Sequence, residues 1–183
     1  MLIDLSTIAS TVFAAYVAIY IFQGWVIQKR LESLSSMAKD KIVEITEVAG
    51  TDLNLFLAEV LDLINRVKID QKNSNIKNSG TMEKISENLL NHPFFEFIMT
   101  FDVVFGEIKT LIPKADLKIY QQLSKDIHSL KKIVLVSGIL NITILRDLNV
   151  AEFEEEFEEL IENTRKSLSV FLKKLHDYKN YNY

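Results

Sequence analysis

Residues 5–27 read LSTIASTVFAAYVAIYIFQGWVI, a stretch of 23 positions without a charged side chain. At 1.5 Å per residue, an α-helix of this length crosses the hydrocarbon core of a bilayer, which is about 30 Å thick. Lys29 and Arg30 follow at once, and the rest of the chain is charged and periodic. The sequence therefore predicts one transmembrane helix that carries a helical domain outside the bilayer.

Two other interpretations of this anchor segment (residues 5–27) are a cleaved signal peptide and a buried core helix. A signal peptide begins with basic residues and ends in small residues at a cleavage site. Residues 1–4 contain no basic residue, and the segment ends in Gly-Trp-Val-Ile-Gln rather than in an Ala-x-Ala pattern. We therefore predict a retained anchor, with a buried core helix as the main alternative.

The charges that flank the anchor segment predict its orientation. Asp4 precedes it, whereas Lys29 and Arg30 follow it, and cytoplasmic flanks of transmembrane helices are enriched in Lys and Arg. We predict a single-pass protein of the cell membrane, with its N-terminus outside and residues 28–183 in the cytoplasm. Trp25 is placed at the level of the headgroups, so that Trp25, Lys29 and Arg30 form the predicted membrane interface.

Small residues recur one helical turn apart within the anchor segment. Ser10, Ala14 and Ala18 follow this spacing, and Ala15 lies beside them. Small side chains let two helix backbones approach closely in lipid, which predicts a helix-packing face. The alternative is that alanine is simply tolerated in a transmembrane helix.

The composition excludes several classes of protein. No cysteine occurs, so disulfides, thiolate metal sites and a cysteine nucleophile are impossible. The 5 glycines and 2 prolines are too few for a turn-rich sheet fold or a glycine-rich phosphate loop. The net charge of −4 gives no general attraction to nucleic acid or to anionic lipid headgroups. We expect an all-α protein without a nucleic-acid partner.

Apolar residues three and four positions apart continue through most of the remaining chain. We predict an anchor at residues 1–28, a helical stalk at 29–69, a polar linker at 70–81 and a soluble helical bundle at 82–183. Gly50-Thr51-Asp52 predicts a stop and restart within the stalk, although an unbroken helix through Gly50 would cost only about 1 kcal/mol relative to alanine.

Two segments of the predicted bundle leave alternatives open. The helix after Pro93 is rich in phenylalanine, and Phe94, Phe97, Phe101 and Phe105 are either core residues or a candidate partner face. The apolar run from Ile133 to Leu145 is predicted as a central buried helix, with a strand as the alternative. The final helix is expected to bury Phe153, Phe157, Leu160, Thr164, Leu168, Phe171, Leu175 and Tyr178.

Polar residues offer no pattern that indicates a reaction. The glutamates at 152–159 fit an exposed helical face near the positive end of a helix dipole. His92, His128 and His176 are scattered, and none is paired in sequence with a serine nucleophile or a second metal ligand. We predict no catalytic, cofactor-binding or metal-binding residue, no cofactor and no small-molecule substrate. A membrane-bound hydrolase would require His128 to meet two carboxylates.

Two stretches of the chain resemble a known family. The first is residues 22–50, in which Gln28 follows the membrane segment and Glu-Val-Ala-Gly ends the helix. The second is residues 107–116, which read EIKTLIPKAD. This family is an uncharacterised archaeal family of single-span membrane proteins, and the resemblance is to its N-terminal part. The family has no assigned activity. The resemblance therefore implies a membrane location and suggests an archaeal source, and it transfers no site residue.

These patterns together predict an accessory or scaffolding subunit of a membrane protein complex. Its partners would be the lipid bilayer and other membrane-protein subunits, or further copies of itself. The alternatives are a homo-oligomeric stalk, built on the heptad-like faces of residues 31–49 and 153–178, and a membrane-bound hydrolase.

Overall fold

The computed structural model describes residues 2–72, 79–136 and 149–180, and no strand occurs among them. These residues form helices α1 (Leu2–Glu47), α2 (Leu53–Lys72), α3 (Ser79–Leu90), α4 (Pro93–Leu111), α5 (Leu117–Val136) and α6 (Val150–Lys179). A π-helical segment, Val48–Asp52, joins α1 to α2. The prediction of an all-α fold is confirmed for the described residues.

The anchor segment and the first part of the predicted stalk lie on one helix, because α1 runs for 46 residues without a break. The predicted stop at Gly50 is wrong, since the π-helical segment continues the chain into α2. Val48 and Leu53 are both buried although they are five positions apart. A π-turn accommodates one extra residue, so it keeps the apolar faces of α1 and α2 on the same side.

Helix α6 lies antiparallel to α1 and α2 along almost its whole length. Ser35 Oγ donates a hydrogen bond to the carbonyl of Lys179 at 3.2 Å. Farther along, Arg165 Nη2 donates to Asn54 Oδ1 at 2.8 Å. The buried faces predicted as candidate heptads therefore pack against each other within one chain, because Leu34 and Ile45 on α1 share a core cluster with the face of α6.

The buried face of α6 follows the predicted spacing with one difference. Its buried side chains are Val150, Phe153, Phe157, Ile161, Thr164, Leu168, Phe171, Leu175 and Tyr178. Ile161 is buried where Leu160 was expected, and Leu160 is half-buried beside it. Asn149 directly precedes the helix, and its side chain donates to Glu152 Oε2 at 3.0 Å and makes no backbone cap.

The phenylalanines of α4 are core residues, which corrects their interpretation as a partner face. Phe94, Phe97, Phe101 and Phe105 are all buried. Phe101 packs against Phe105 with ring centroids 4.9 Å apart and against Tyr120 of α5 at 5.9 Å. Helices α1, α5 and α6 cover this face of α4, so only its opposite side is open to solvent.

The domain boundaries stay a prediction, although the structure bears on the segments between them. Within the predicted linker, α2 extends to Lys72 and α3 begins at Ser79. Residues 73–78 lie outside the described residues, as do 137–148, which hold most of the predicted central helix. Buried residues of the predicted stalk and bundle belong to one core cluster.

Candidate membrane anchor and its junction with the bundle

The first half of α1 is apolar and uncovered, whereas its second half is part of the core. The most apolar 18 residues of this helix contain no buried side chain, and their length and composition allow a membrane crossing. Tyr20 is 72% exposed, yet Leu34, fourteen residues later, is fully buried. One continuous helix therefore changes surroundings between these two residues.

Hydroxyl groups within the anchor segment are bonded to its own backbone. Ser10 Oγ donates to the carbonyl of Thr7 at 2.9 Å, and Thr11 Oγ1 donates to the same carbonyl at 2.8 Å. Such bonds satisfy polar groups where no water is present. Ser10, Ala14, Ala15 and Ala18 are all exposed, and their role in packing against a second membrane helix stays a prediction.

The predicted interface residues lie at the end of the anchor segment that adjoins the bundle. Trp25 is 54% exposed and stacks on Phe22 with ring centroids 6.1 Å apart. Lys29 Nζ lies 2.8 Å from Glu32 Oε2 at the surface. This hydrogen bond raises the pKa of Lys29 and lowers the pKa of Glu32.

Arg30 connects the end of the anchor segment to the end of α4. Its Nε donates to the carbonyl of Leu111 at 3.1 Å, and its Nη2 donates to the carbonyls of Thr110 at 3.0 Å and Ile112 at 3.2 Å. The last carbonyls of a helix have no partner within that helix. The planar guanidinium of Arg30 therefore caps α4 from another helix and fixes the bundle next to the anchor.

We expect Arg30→Ala to destabilise the last turn of α4. The substitution removes three hydrogen bonds from a charged donor, and we expect a loss of about 2–3 kcal/mol in the free energy of unfolding. Amide hydrogen exchange of the full chain in detergent would show faster exchange at residues 108–112. Lys29→Ala is the matched control, because its ion pair with Glu32 is exposed to solvent and such pairs add little to stability. Equal effects of both substitutions would contradict the capping role.

A second polar contact joins α6 to the turn between α4 and α5. Tyr178 Oη donates to Asp116 Oδ2 at 2.9 Å, and Lys174 Nζ lies 3.3 Å from Asp116 Oδ1. Tyr178 is buried. Burial, followed by the hydrogen bond and the charge of Asp116, raises the pKa of Tyr178 far above its usual range.

The raised pKa of Tyr178 predicts a loss of stability in strong base. Above about pH 10 a tyrosine of the unfolded chain ionises, while Tyr178 of the folded chain keeps its proton. The folded state then binds more protons, so the free energy of unfolding falls as the pH rises. Urea unfolding between pH 8 and pH 11 should give a smaller fall for Tyr178→Phe than for the wild type. Burial also raises the pKa of Tyr120, so part of the fall should remain. Identical slopes would contradict this prediction.

A groove between α1 and α4 begins at the Arg30 junction. One cavity of about 510 Å³ is lined by Ser33, Ser36, Met37, Glu107, Thr110 and Leu111. The next, of about 420 Å³, is lined by Met37, Asp40, Lys41, Val103, Val104, Glu107 and Ile108. Because the two cavities share Met37 and Glu107, they form one α1–α4 groove. Val103, at its edge, is 82% exposed.

The histidines take structural or surface positions. His92 is buried before α4, where its Nδ1 accepts a hydrogen bond from the backbone of Phe94 at 3.1 Å. His128 Nδ1 lies 3.7 Å from a single carboxylate, Asp102, and both side chains are largely exposed. Asp126 instead accepts hydrogen bonds from Gln122 and Ser167. Across the described residues, no three His, Asp or Glu side chains form a potential metal site.

No protein family, curated protein or solved structure matches this chain. The resemblance to the archaeal membrane family therefore stays a prediction. The interface residues were predicted from their position after the anchor segment, but the capping bonds of Arg30 were not. Arg30 and Leu111 are 81 positions apart, and no local pattern indicates which carbonyls a distant arginine will contact.

Proposed function

We propose that this protein is a non-catalytic accessory or scaffolding subunit of a membrane protein complex. Residues 5–27 would anchor it, with the N-terminus outside and the helical bundle in the cytoplasm. The observation that carries the proposal is the contrast along α1, in which an uncovered apolar segment continues into a buried amphipathic one. An exposed apolar surface of this length requires either lipid or protein around it.

The junction at Arg30 supports a scaffolding role in particular. Where a flexible linker joins a transmembrane helix to a domain, the domain can rotate freely relative to the membrane. Here α1 enters the bundle without a break, and Arg30 adds three hydrogen bonds to α4. The bundle would therefore keep a defined orientation on the membrane, which suits a subunit that positions other proteins.

Two surfaces are available to such partners. In the bilayer, the exposed face of Ser10, Ala14 and Ala18 offers close approach to a second helix. Outside it, the α1–α4 groove offers apolar side chains such as Val103, flanked by the charges of Lys41 and Glu107. Both surfaces lie along α1, so one membrane protein could contact both.

The native mass of the full-length protein, extracted gently from its own membrane, tests the proposal. A species that contains other chains in fixed ratio is the expected result, and replacement of Ala14 and Ala18 by leucine should dissociate it. A species that contains several copies of this chain alone would favour the homo-oligomeric alternative. A species of one copy in mild detergent would contradict both.

A further inference from the structure

The charges of the bundle are separated although the chain as a whole is acidic. Helix α6 begins with the glutamates at 152–159 and ends with lysines and a histidine. Its C-terminal end lies beside the start of the bundle, since Lys179 contacts Ser35 and Tyr178 contacts Asp116. The end of α6, the end of α4, the start of α5 and Arg30 therefore meet at one end of the bundle. We call this the membrane-proximal end, because Arg30 follows the anchor segment by three residues.

Exposed lysines surround this membrane-proximal end. They form a basic collar, which we define as Lys29, Lys114, Lys118, Lys173 and Lys179. His176 is exposed among them. In the described part of the chain, no carboxylate lies within 4.0 Å of the last four lysines. Some cations farther along the bundle are paired, as Arg66 is with Asp62 and Arg165 with Glu162.

The carboxylates at the same end are mostly engaged elsewhere. Asp116 is bonded to Tyr178 and Lys174, and Asp177 lies 3.8 Å from Lys174. Glu32 is bonded to Lys29. Glu107 faces the α1–α4 groove. The collar therefore keeps a net positive charge at its exposed surface.

Helix dipoles do not account for the whole collar. Lys173 and Lys179 lie near the C-terminus of α6, where the dipole favours a cation. Lys114 and Lys118 instead flank the N-terminus of α5, where the dipole disfavours a cation, and the first turn of that helix holds no acidic residue. Asp116, directly before α5, is engaged by Tyr178 and Lys174, so the exposed side chains of Lys114 and Lys118 are available to a negative partner outside the chain.

We propose that the basic collar binds anionic lipid headgroups of the leaflet next to the anchor segment. This inference rests on the proposed membrane anchoring. The hydrogen bonds of Arg30 hold the end of α4 one side-chain length from the interface, and Lys114 lies in the turn that follows. Lys118 and Lys173 lie within one or two helical turns of that level, which is about a Debye length at physiological salt.

The absence of cysteine allows a direct test with the full chain. Ala115→Cys places a single fluorophore in the exposed turn between α4 and α5. The labelled protein is inserted into nanodiscs of phosphatidylcholine alone or with one quarter phosphatidylglycerol, each with a trace of headgroup-quencher lipid. Quenching reports how closely the turn approaches the headgroups. The test variant carries Lys→Gln at 114, 118, 173 and 179, and the control carries Lys→Gln at 84, 125, 132 and 166.

We expect phosphatidylglycerol to increase quenching for the wild type and the control variant, and 1 M salt to reverse the increase. Each collar lysine should favour the docked state roughly fivefold, so the test variant should lose most of the increase. Insertion into both kinds of nanodisc with equal quenching would overturn the collar proposal and leave the anchoring intact. Failure to insert into either would overturn the anchoring, and the collar proposal with it.

Discussion

Phe101→Ala is expected to lower the free energy of unfolding by about 3–5 kcal/mol. Phe101 is buried at the centre of an aromatic cluster, with Phe97 at 5.7 Å, Phe105 at 4.9 Å and Tyr120 at 5.9 Å between ring centroids. Removing the ring loses its apolar burial and leaves a cavity, because the surrounding side chains relax only partly into the space. Urea unfolding of the full chain in mild detergent, followed by circular dichroism, measures the change.

Val103→Ala is the matched control on the same helix. Val103 lies two residues away and is 82% exposed, so its truncation should change the free energy of unfolding by less than about 0.5 kcal/mol. Similar small values for both variants would mean that α4 is not covered by α5 and α6. The phenylalanines would then form a partner face, as one of the two sequence interpretations held.

The helices could be predicted from the sequence because the apolar spacing that indicates a helix is a local property of the chain. The face of α6 could be predicted almost residue by residue, since its nine buried positions follow intervals of three and four. Helix α4 gave an ambiguous pattern for a physical reason. Apolar residues cover much of its circumference, so periodicity alone does not indicate which side the other helices cover. Its burial depends on α1, α5 and α6, and both α1 and α6 are distant from α4 in sequence.

Gly50 illustrates a different limit of sequence reasoning. Glycine followed by threonine and aspartate is typical of a helix end, yet the chain continues as a π-helical segment. The deciding feature is the interval from Val48 to Leu53, because both side chains must reach the same core. That requirement becomes visible only when α6 is in place along both α1 and α2.

The anchor segment and the Arg30 junction also differ in what the sequence could indicate. A charge-free stretch of 23 residues is a property of the chain itself, and the helix found there is long and apolar enough for a crossing. The bonds from Arg30 to α4 join residues 80 to 82 positions apart. The sequence placed Arg30 at the interface, but its contact with the bundle follows from the antiparallel path of α4.

The largest effect is expected from two arginines in the anchor segment, Ala15→Arg with Ala18→Arg. Each arginine near the middle of a transmembrane helix costs about 2.5–3.5 kcal/mol of insertion free energy, so the pair costs about 5–7 kcal/mol. The segment is rich in Ala, Ser, Thr and Tyr rather than Leu, so its favourable insertion free energy is modest and the pair should reverse it. The protein should leave the alkali-resistant membrane fraction.

The matched control places the same two charges on the exposed surface of the bundle, at Val43→Arg and Val103→Arg. Both side chains lie on the bundle beyond Arg30, so this variant should stay in the membrane fraction like the wild type. Retention of the anchor variant in that fraction would mean that residues 5–27 do not cross a bilayer. Release of the wild type itself by alkali would favour the alternative of a core helix, covered by a protein partner instead of lipid. A transmembrane anchor predicts that the anchor variant leaves the membrane fraction while the wild type and the control stay in it. That result would tie membrane attachment to the apolar half of α1, because the anchor variant leaves the buried half unchanged.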